Sequence, residues 1–234
     1  ERGFTGVKFD PAGRYSVYDG RQPALHAMDL SEKMVRAVRE AIGDRADILF
    51  GTHGQFTASG AIRLAKKLEK YDPLWFEEPC PPDSPDEIAK VARATSIPIS
   101  AGERLTTKYE FHQLLKTGAA SILQPNLGRC GGLLEGKKIA SMAEVYHAQI
   151  APHLYCGPVV AAANIQLATC TPNFLILETI QGWQGFHSDL VKTSIKFENG
   201  FIIPPTEPGL GIELNEKVAL ANPYTGSELH LEMS

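Results

Sequence analysis

Acidic and imidazole side chains recur in this 234-residue chain wherever a short apolar run stops. Trp75-Phe76 leads into Glu77-Glu78-Pro79, and Ser100-Ala101-Gly102 leads into Glu103-Arg104. Carboxylates placed there are costly if buried without a partner. Glu77 and Glu103 therefore call for a cation, and oxygen ligands at matching height on neighbouring strands suit a hard metal ion. A rim of salt-bridged glutamates is the plainer alternative. His53 and His153 close two further apolar runs. Two imidazoles facing each other suit general acid–base chemistry near neutral pH. Either one alone would more often be a satisfied core histidine, but both fall in register with Glu77 and Glu103. Lys8 and Asp10 alternate with Phe9, so both can face one side of a strand. A desolvated lysine there can act as a base or polarise a carboxylate; a surface Lys8–Asp10 pair is the alternative.

The spacing of these residues describes the elements that must hold them. The polar closures fall at 51/53, 77, 103, 126, 153 and 178, which from 51 gives steps of 26, 26, 23, 27 and 25 residues. The runs before them, 6–10, 48–53, 74–78, 97–102, 121–126, 148–153 and 174–178, are short and almost continuously apolar. Such runs read as strands buried on both faces of a parallel sheet. Between them lie stretches of helical period at 57–71, 85–94, 108–117, 133–147 and 159–169. Asp29-Leu30-Ser31-Glu32 reads as a capping box that opens a helix reaching Ile42, with Gly43 as its stop. Strand and helix alternating at a period near 25, with a reactive side chain at strand after strand, points to a (β/α) barrel whose chemistry sits on the strands' C-terminal face. A doubly wound sheet would gather its ligands at one switch point. Seven strands are visible, so an eighth is expected upstream. Residues 1–190 form the expected barrel, and 191–234 a C-terminal segment packed on it, with Pro204, Pro205 and Pro208 beside Gly209 and Gly211 arguing against a helix in the Pro-rich stretch 201–211.

Composition narrows the classes further. A net charge of −4, with no basic run, gives nucleic acid or an anionic membrane surface no handle. Cys80, Cys130, Cys156 and Cys170 form no CxxC pair, which argues against structural zinc and fits reduced thiols in a cytoplasmic protein. Gly131-Gly132 suggests a close backbone approach, a weak signal alone; His112 and His147 lie in helical stretches and read as structural.

Taken in order, Gly3-Phe4-Thr5-Gly6-Val7-Lys8-Phe9-Asp10-Pro11, Thr52-His53-Gly54, Phe76-Glu77-Glu78-Pro79, Ala101-Gly102-Glu103-Arg104, Leu123-Gln124-Pro125, Gly131-Gly132, Ala151-Pro152-His153 and Pro208-Gly209-Leu210-Gly211 span nearly the whole chain. With them the chain resembles the catalytic barrel of the mandelate racemase/muconate lactonizing enzyme group in the enolase superfamily, and within it the galactonate dehydratase-like members. The resemblance implies a TIM-type (β/α)₇β barrel, lacking here its capping domain and first strand. It implies a Mg²⁺-dependent hydro-lyase that removes a proton α to a carboxylate, passes through an enediolate and loses the β-hydroxyl to give a 2-keto-3-deoxy sugar acid. By the same resemblance Glu77 and Glu103 match metal ligands, His153 the base and His53 the group that helps the hydroxyl leave. Lys8 joins them as a catalytic candidate, and Glu178, Asp10 and Arg104 are substrate-binding candidates. An aldonate or aldarate is the expected partner, in a homo-oligomer.

Two positions depart from the pattern. The first metal ligand would be an aspartate where this chain has Gly51, and the base's partner would be an aspartate where it has Asn126. A neutral amide cannot raise an imidazole pKa through charge. An epimerase or cycloisomerase on the same scaffold, or a sugar-acid-binding relative without catalysis, are the alternatives these departures keep open.

Overall fold

Six short parallel strands lie side by side in the order in which the chain makes them, β1 to β6, in a computed structural model that describes residues 3–12, 20–180 and 185–223. They are β1 (Gly6–Phe9), β2 (Asp47–Gly51), β3 (Trp75–Glu77), β4 (Ile99–Ala101), β5 (Ile122–Leu123) and β6 (Gln149–Ile150). A sequential order with no reversal is that of an unrolled barrel, whereas a doubly wound sheet would double back. Phe174 continues the series with a parallel bridge to Ile150, and Leu175 N–H donates to the Ile150 carbonyl at 2.9 Å. The seventh strand expected at 174–178 is thus reduced to one bridge and an extended segment.

Helices α1 (Leu25–Ile42), α2 (Ala58–Leu68), α3 (Pro85–Ala92), α4 (Thr107–Thr117), α5 (Gly132–Val145) and α6 (Pro158–Thr169) fill the crossovers. Their ends follow local rules in most cases. The Thr57 side chain caps α2 by accepting from Gly60 N–H at 3.2 Å, Pro85 opens α3, and Gly43 closes α1 at φ 59°. The capping box at Asp29 is a correction. Helix α1 starts earlier, after Ala24, and no side chain caps it. Met28, Ser31 and Val35 form its buried stripe, so tertiary burial carries the helix back past the local signal. Asp29 and Glu32 are used instead against Lys67 of α2.

Alternation along each strand separates two cores. Ile48, Phe50, Phe76, Ile99, Leu123 and Ile150 point outward into the layer shared with the helices, where Phe50 and Phe76 meet edge to face at 6.0 Å. Leu49, Trp75, Ile122 and Ala151 point inward, with Leu175 and Ile176, and form a separate apolar floor. Two residues beyond Leu49 and Trp75, on the same inward face, come Gly51 and Glu77, which sit in register with each other. The polar layer is therefore stacked directly on the floor.

The C-terminal segment has a four-residue helix α7 (Phe186–Asp189), an antiparallel hairpin of β7 (Lys196–Glu198) and β8 (Phe201–Ile203), and a short helix α8 (Glu216–Ala221). The hairpin turn at Gly200 touches the backbone of Gly3, and Gln166 of α6 donates to the Leu210 carbonyl at 3.4 Å. Trp183 lies outside the described residues. All four cysteines are free thiols, and no helix among the described residues is long and apolar enough to cross a membrane.

Candidate active site

The inward faces of β1 and β3 and the segment after β6 meet at one ion cluster. Lys8 Nζ lies 2.8 Å from Glu77 Oε1 and 2.6 Å from Glu178 Oε1. The other Glu77 oxygen accepts from Gln124 Nε2 at 2.9 Å and from Trp75 Nε1 at 3.2 Å, so both oxygens of this fully buried carboxylate are engaged. The second Glu178 oxygen accepts from Leu154 N–H at 2.7 Å. Burial raises the Glu77 pKa despite the neighbouring ammonium. Burial also works to raise Glu178, but Lys8 and His153 outweigh it and hold this carboxyl below its usual range. Burial opposes the charge on Lys8; Glu77 and Glu178 outweigh it and keep the ammonium protonated.

His153 stands beside this cluster, between Glu103 and Asn126. Its Nε2 is 3.2 Å from Glu103 Oε2, and its Nδ1 is 3.0 Å from Asn126 Nδ2. Burial lowers the His153 pKa, and burial followed by the Glu78 charge raises that of Glu103. Asn126 Oδ1 accepts from Gly128 N–H at 2.9 Å, which fixes the amide so that its NH₂ faces the imidazole. A neutral His153 then accepts at Nδ1 and carries its proton on Nε2, toward Glu103.

His53 occupies a more open part of the mouth. Its Nδ1 is 3.9 Å from Asp10 Oδ2, and Asp10 is the main influence raising its pKa against burial. Asp10 also accepts from Ala12 N–H at 2.9 Å and from Gln55 Nε2 at 3.1 Å, and Gln55 Oε1 accepts from His53 N–H at 2.7 Å. Arg104 lies with Glu78, its Nε 2.7 Å from Glu78 Oε2, and is almost wholly covered. Glu78, one residue beyond Glu77, leaves the barrel interior at φ 34°. Lys8, Glu77, Glu103, His153, Asn126 and Glu178 thus form one connected group. His53 and Asp10 form a second at the same mouth, and Arg104 pairs with Glu78. Trp75, Gln124 and Gln55 were not among the expected site residues. Trp75 could have been found, since it lies two residues before Glu77 on the same strand face.

Metal-dependent chemistry is what the superfamily would bring, and Glu77 and Glu103 are its candidate ligands. Among the described residues no three His, Cys, Asp or Glu side chains are grouped to hold an ion. Gly51 contributes no donor, and both Glu77 oxygens are already engaged by Lys8, Trp75 and Gln124. In this arrangement the residues do not fit a three-ligand Mg²⁺ cradle.

Comparison with known proteins agrees with the topology. Residues 1–218 match the enolase C-terminal domain-like family. A structure from Labrenzia alexandrii DFL-11, assigned to the mandelate racemase/muconate lactonizing enzymes, is 67% identical and superposes with a TM-score of 0.94, covering 98% of this chain and 59% of that one. A mandelate racemase/muconate lactonizing enzyme-like protein from Roseovarius sp. TM1035 is 57% identical with a TM-score of 0.93, covering 100% of this chain and 58% of that one. D-xylonate dehydratase of Haloferax volcanii is 37% identical over 232 residues, which are 98% of this chain and 56% of that protein. The chain spans a little over half the length of these relatives. It belongs to the enolase C-terminal domain-like family, in the mandelate racemase/muconate lactonizing enzyme group, and is related to sugar-acid dehydratases.

Proposed function

We propose that this member of the enolase superfamily carries the acid–base site of a sugar-acid dehydratase. The observation that carries the reading is a pair of imidazoles at one barrel mouth whose pKa values are pushed in opposite directions. Burial lowers the His153 pKa, and Asp10 raises that of His53 against burial. Two titratable groups driven apart in this way suit a base and an acid working on one substrate. The dehydratase activity of the Haloferax volcanii relative supports the choice among the superfamily's reactions.

In this reading the substrate is an aldonate or aldarate. His153 takes the C2 proton, the electron pair moves toward the substrate carboxylate, and the Lys8 ammonium is the cation at hand for the charge of the enediolate. Collapse of the enediolate expels the C3 hydroxyl, which leaves as water with a proton from His53. The enol then takes a proton at C3 and becomes the 2-keto-3-deoxy acid. Glu178 holds a substrate hydroxyl in this reading, alongside its bonds to Lys8 and Leu154 N–H. Asn126 complicates the first step, because the amide as oriented leaves the proton of neutral His153 on Nε2. Turning the amide over frees Nε2 as a base at the loss of the Gly128 hydrogen bond, roughly 1 kcal/mol. Mg²⁺ has no part in this reading. A metal on Glu77 and Glu103 would have to displace Lys8 from Glu77 and would find no side chain at Gly51.

Incubation of the full-length protein with a panel of aldonates and aldarates in D₂O, followed by NMR, tests this. Dehydration gives a product with a C3 methylene carrying one deuterium. Exchange at C2 without that product would replace dehydration by epimerisation, and no change across the panel would move the reading to ligand binding alone.

A further inference from the structure

We propose that Lys8 is the resident cation of this site, admitted by Gly51, so that an ammonium takes the place a divalent ion would hold among these carboxylates. The inference rests on the strand ends being a ligand site, and not on the reaction being a dehydration.

Gly51 and Glu77 are register partners on adjacent strands, so a side chain at position 51 would emerge on the inner face beside the Glu77 carboxylate. That space is filled. A Cβ at Gly51 would lie 2.6 Å from Lys8 Cε, 3.2 Å from Cγ and 3.5 Å from Cδ. The lysine stem therefore runs through the volume that an aspartate at position 51 would need. The backbone does not ask for glycine there, since Gly51 is absent from the positive-φ residues. What the glycine supplies is room for Lys8.

The ammonium that this room admits is well matched to its partners. It donates to Glu77 at 2.8 Å and to Glu178 at 2.6 Å, joining carboxylates from two elements 101 positions apart in sequence (178 − 77). Lysine has three N–H donors, and these two carboxylates use two. The side chain keeps 24% of its surface exposed, and one donor remains beyond the two that the carboxylates use. A divalent ion on Glu77 Oε1 would have to share that oxygen with a second positive charge, which electrostatics disfavours at this distance. Glycine at 51 and lysine at 8 are thus two halves of one exchange: a carboxylate ligand is removed and a fixed cation enters the vacated space.

Mn²⁺ titration followed by electron paramagnetic resonance, on the full-length protein after chelator treatment, reads this without turnover. Wild type is compared with Glu77→Gln, Gly51→Asp and the double change Gly51→Asp/Lys8→Met. The expected result is a one-equivalent site in the double variant that is at least about tenfold tighter than any binding by wild type, the scale on which even an indirect partner of a metal ligand matters. One equivalent bound by wild type as tightly as by the double variant, and lost in Glu77→Gln, would overturn the proposal. If the double variant does not fold, wild type alone decides by thermal melting: a midpoint indifferent to chelator and to Mn²⁺ supports an internal cation, and a Mn²⁺-dependent rise that Glu77→Gln removes sinks it. The dehydratase reading stands or falls on product analysis, independently of these measurements.

Discussion

Two lysine–glutamate clusters in this molecule are mirror images in composition and opposites in setting. Inside the barrel one lysine, Lys8, lies between two glutamates, Glu77 and Glu178. On the outside, between α1 and α2, one glutamate, Glu32, lies between two lysines, Lys67 and Lys70, with Asp29 as a further partner of Lys67. The inner carboxylate Glu77 is fully buried and its pKa is pushed up, because burial outweighs the ammonium. The outer one, with water at hand, is drawn down to about 2 by its lysine hydrogen bonds. Attraction between the same groups is therefore a plain gain outside and a partial repayment of desolvation inside.

The largest effect expected from this contrast is that of Lys8→Met. It leaves two carboxylates facing an apolar floor without their cation, and breaking a buried pair in this way costs about 3 kcal/mol. The penalty grows with pH. Glu77 already has a folded pKa above its ordinary value of 4.5, and loss of Lys8 raises it further. Such a carboxyl binds more protons folded than unfolded, so stability falls as pH climbs from 4.5 through the folded value. Urea unfolding of wild type and variant at pH 5 and pH 8 checks both magnitude and sign. An equal penalty at the two pH values would mean that Glu77 and Glu178 are neutralised by something other than Lys8.

A middle-sized effect is expected at the edge of the inner cluster, from Asn126→Asp. The carboxylate has one oxygen for Gly128 N–H and one for His153 Nδ1–H, so Nε2 is freed without turning an amide over. Its charge also raises the His153 pKa, which burial now holds low. Turnover by the proposed route should rise, by about tenfold for each 1.4 kcal/mol of removed reorganisation, while the acid limb of the rate profile moves to higher pH. Nitrogen chemical shifts of His153 report the same change directly, with the neutral proton on Nε2 in wild type and on Nδ1 in the variant. A wild-type ring already protonated on Nδ1 would show that the amide does not govern the tautomer.

The inner cluster was far easier to read from sequence than the outer one. Lys8, Glu77, Glu103, His153 and Glu178 each end an apolar run, and the near-25-residue step between closures places strand ends side by side whatever the helices do in detail. Period-2 alternation then turns Lys8 and Glu77 to the same interior. What stayed hidden needed distances. Gly51 reads as a missing ligand until the Lys8 stem is found in its place, and Arg104 reads as a ligand group until Glu78 is found beside it. The outer cluster was misread altogether. Asp29-Leu30-Ser31-Glu32 satisfies a local capping pattern, but Met28 belongs to the buried stripe of α1 and Lys67 awaits the two acids on α2. Local sequence cannot rank a cap against a partner on another helix.

The smallest effect expected is that of Glu32→Gln, and it bears most directly on the contrast. Glu32 and Lys67 are half-buried and Lys70 is exposed, so water reaches the cluster, salt screens it, and neutralising Glu32 strands no charge in an apolar floor. At neutral pH and physiological salt its urea midpoint should match wild type within scatter, with a small loss emerging only at low ionic strength. The pH trend runs opposite to that at Lys8. The folded pKa of Glu32 is depressed to about 2 from 4.5, so whatever stability it adds is present above 4.5 and disappears as pH falls toward 2. Wild type and variant should therefore converge on acidification, whereas Lys8→Met and wild type should converge on moving from pH 8 to pH 5 for the reverse reason, protonation relieving a buried charge. A Glu32→Gln penalty as large as that of Lys8→Met would break the comparison, since it would mean that the outer cluster clamps α1 to α2 as firmly as the inner one holds the strand ends.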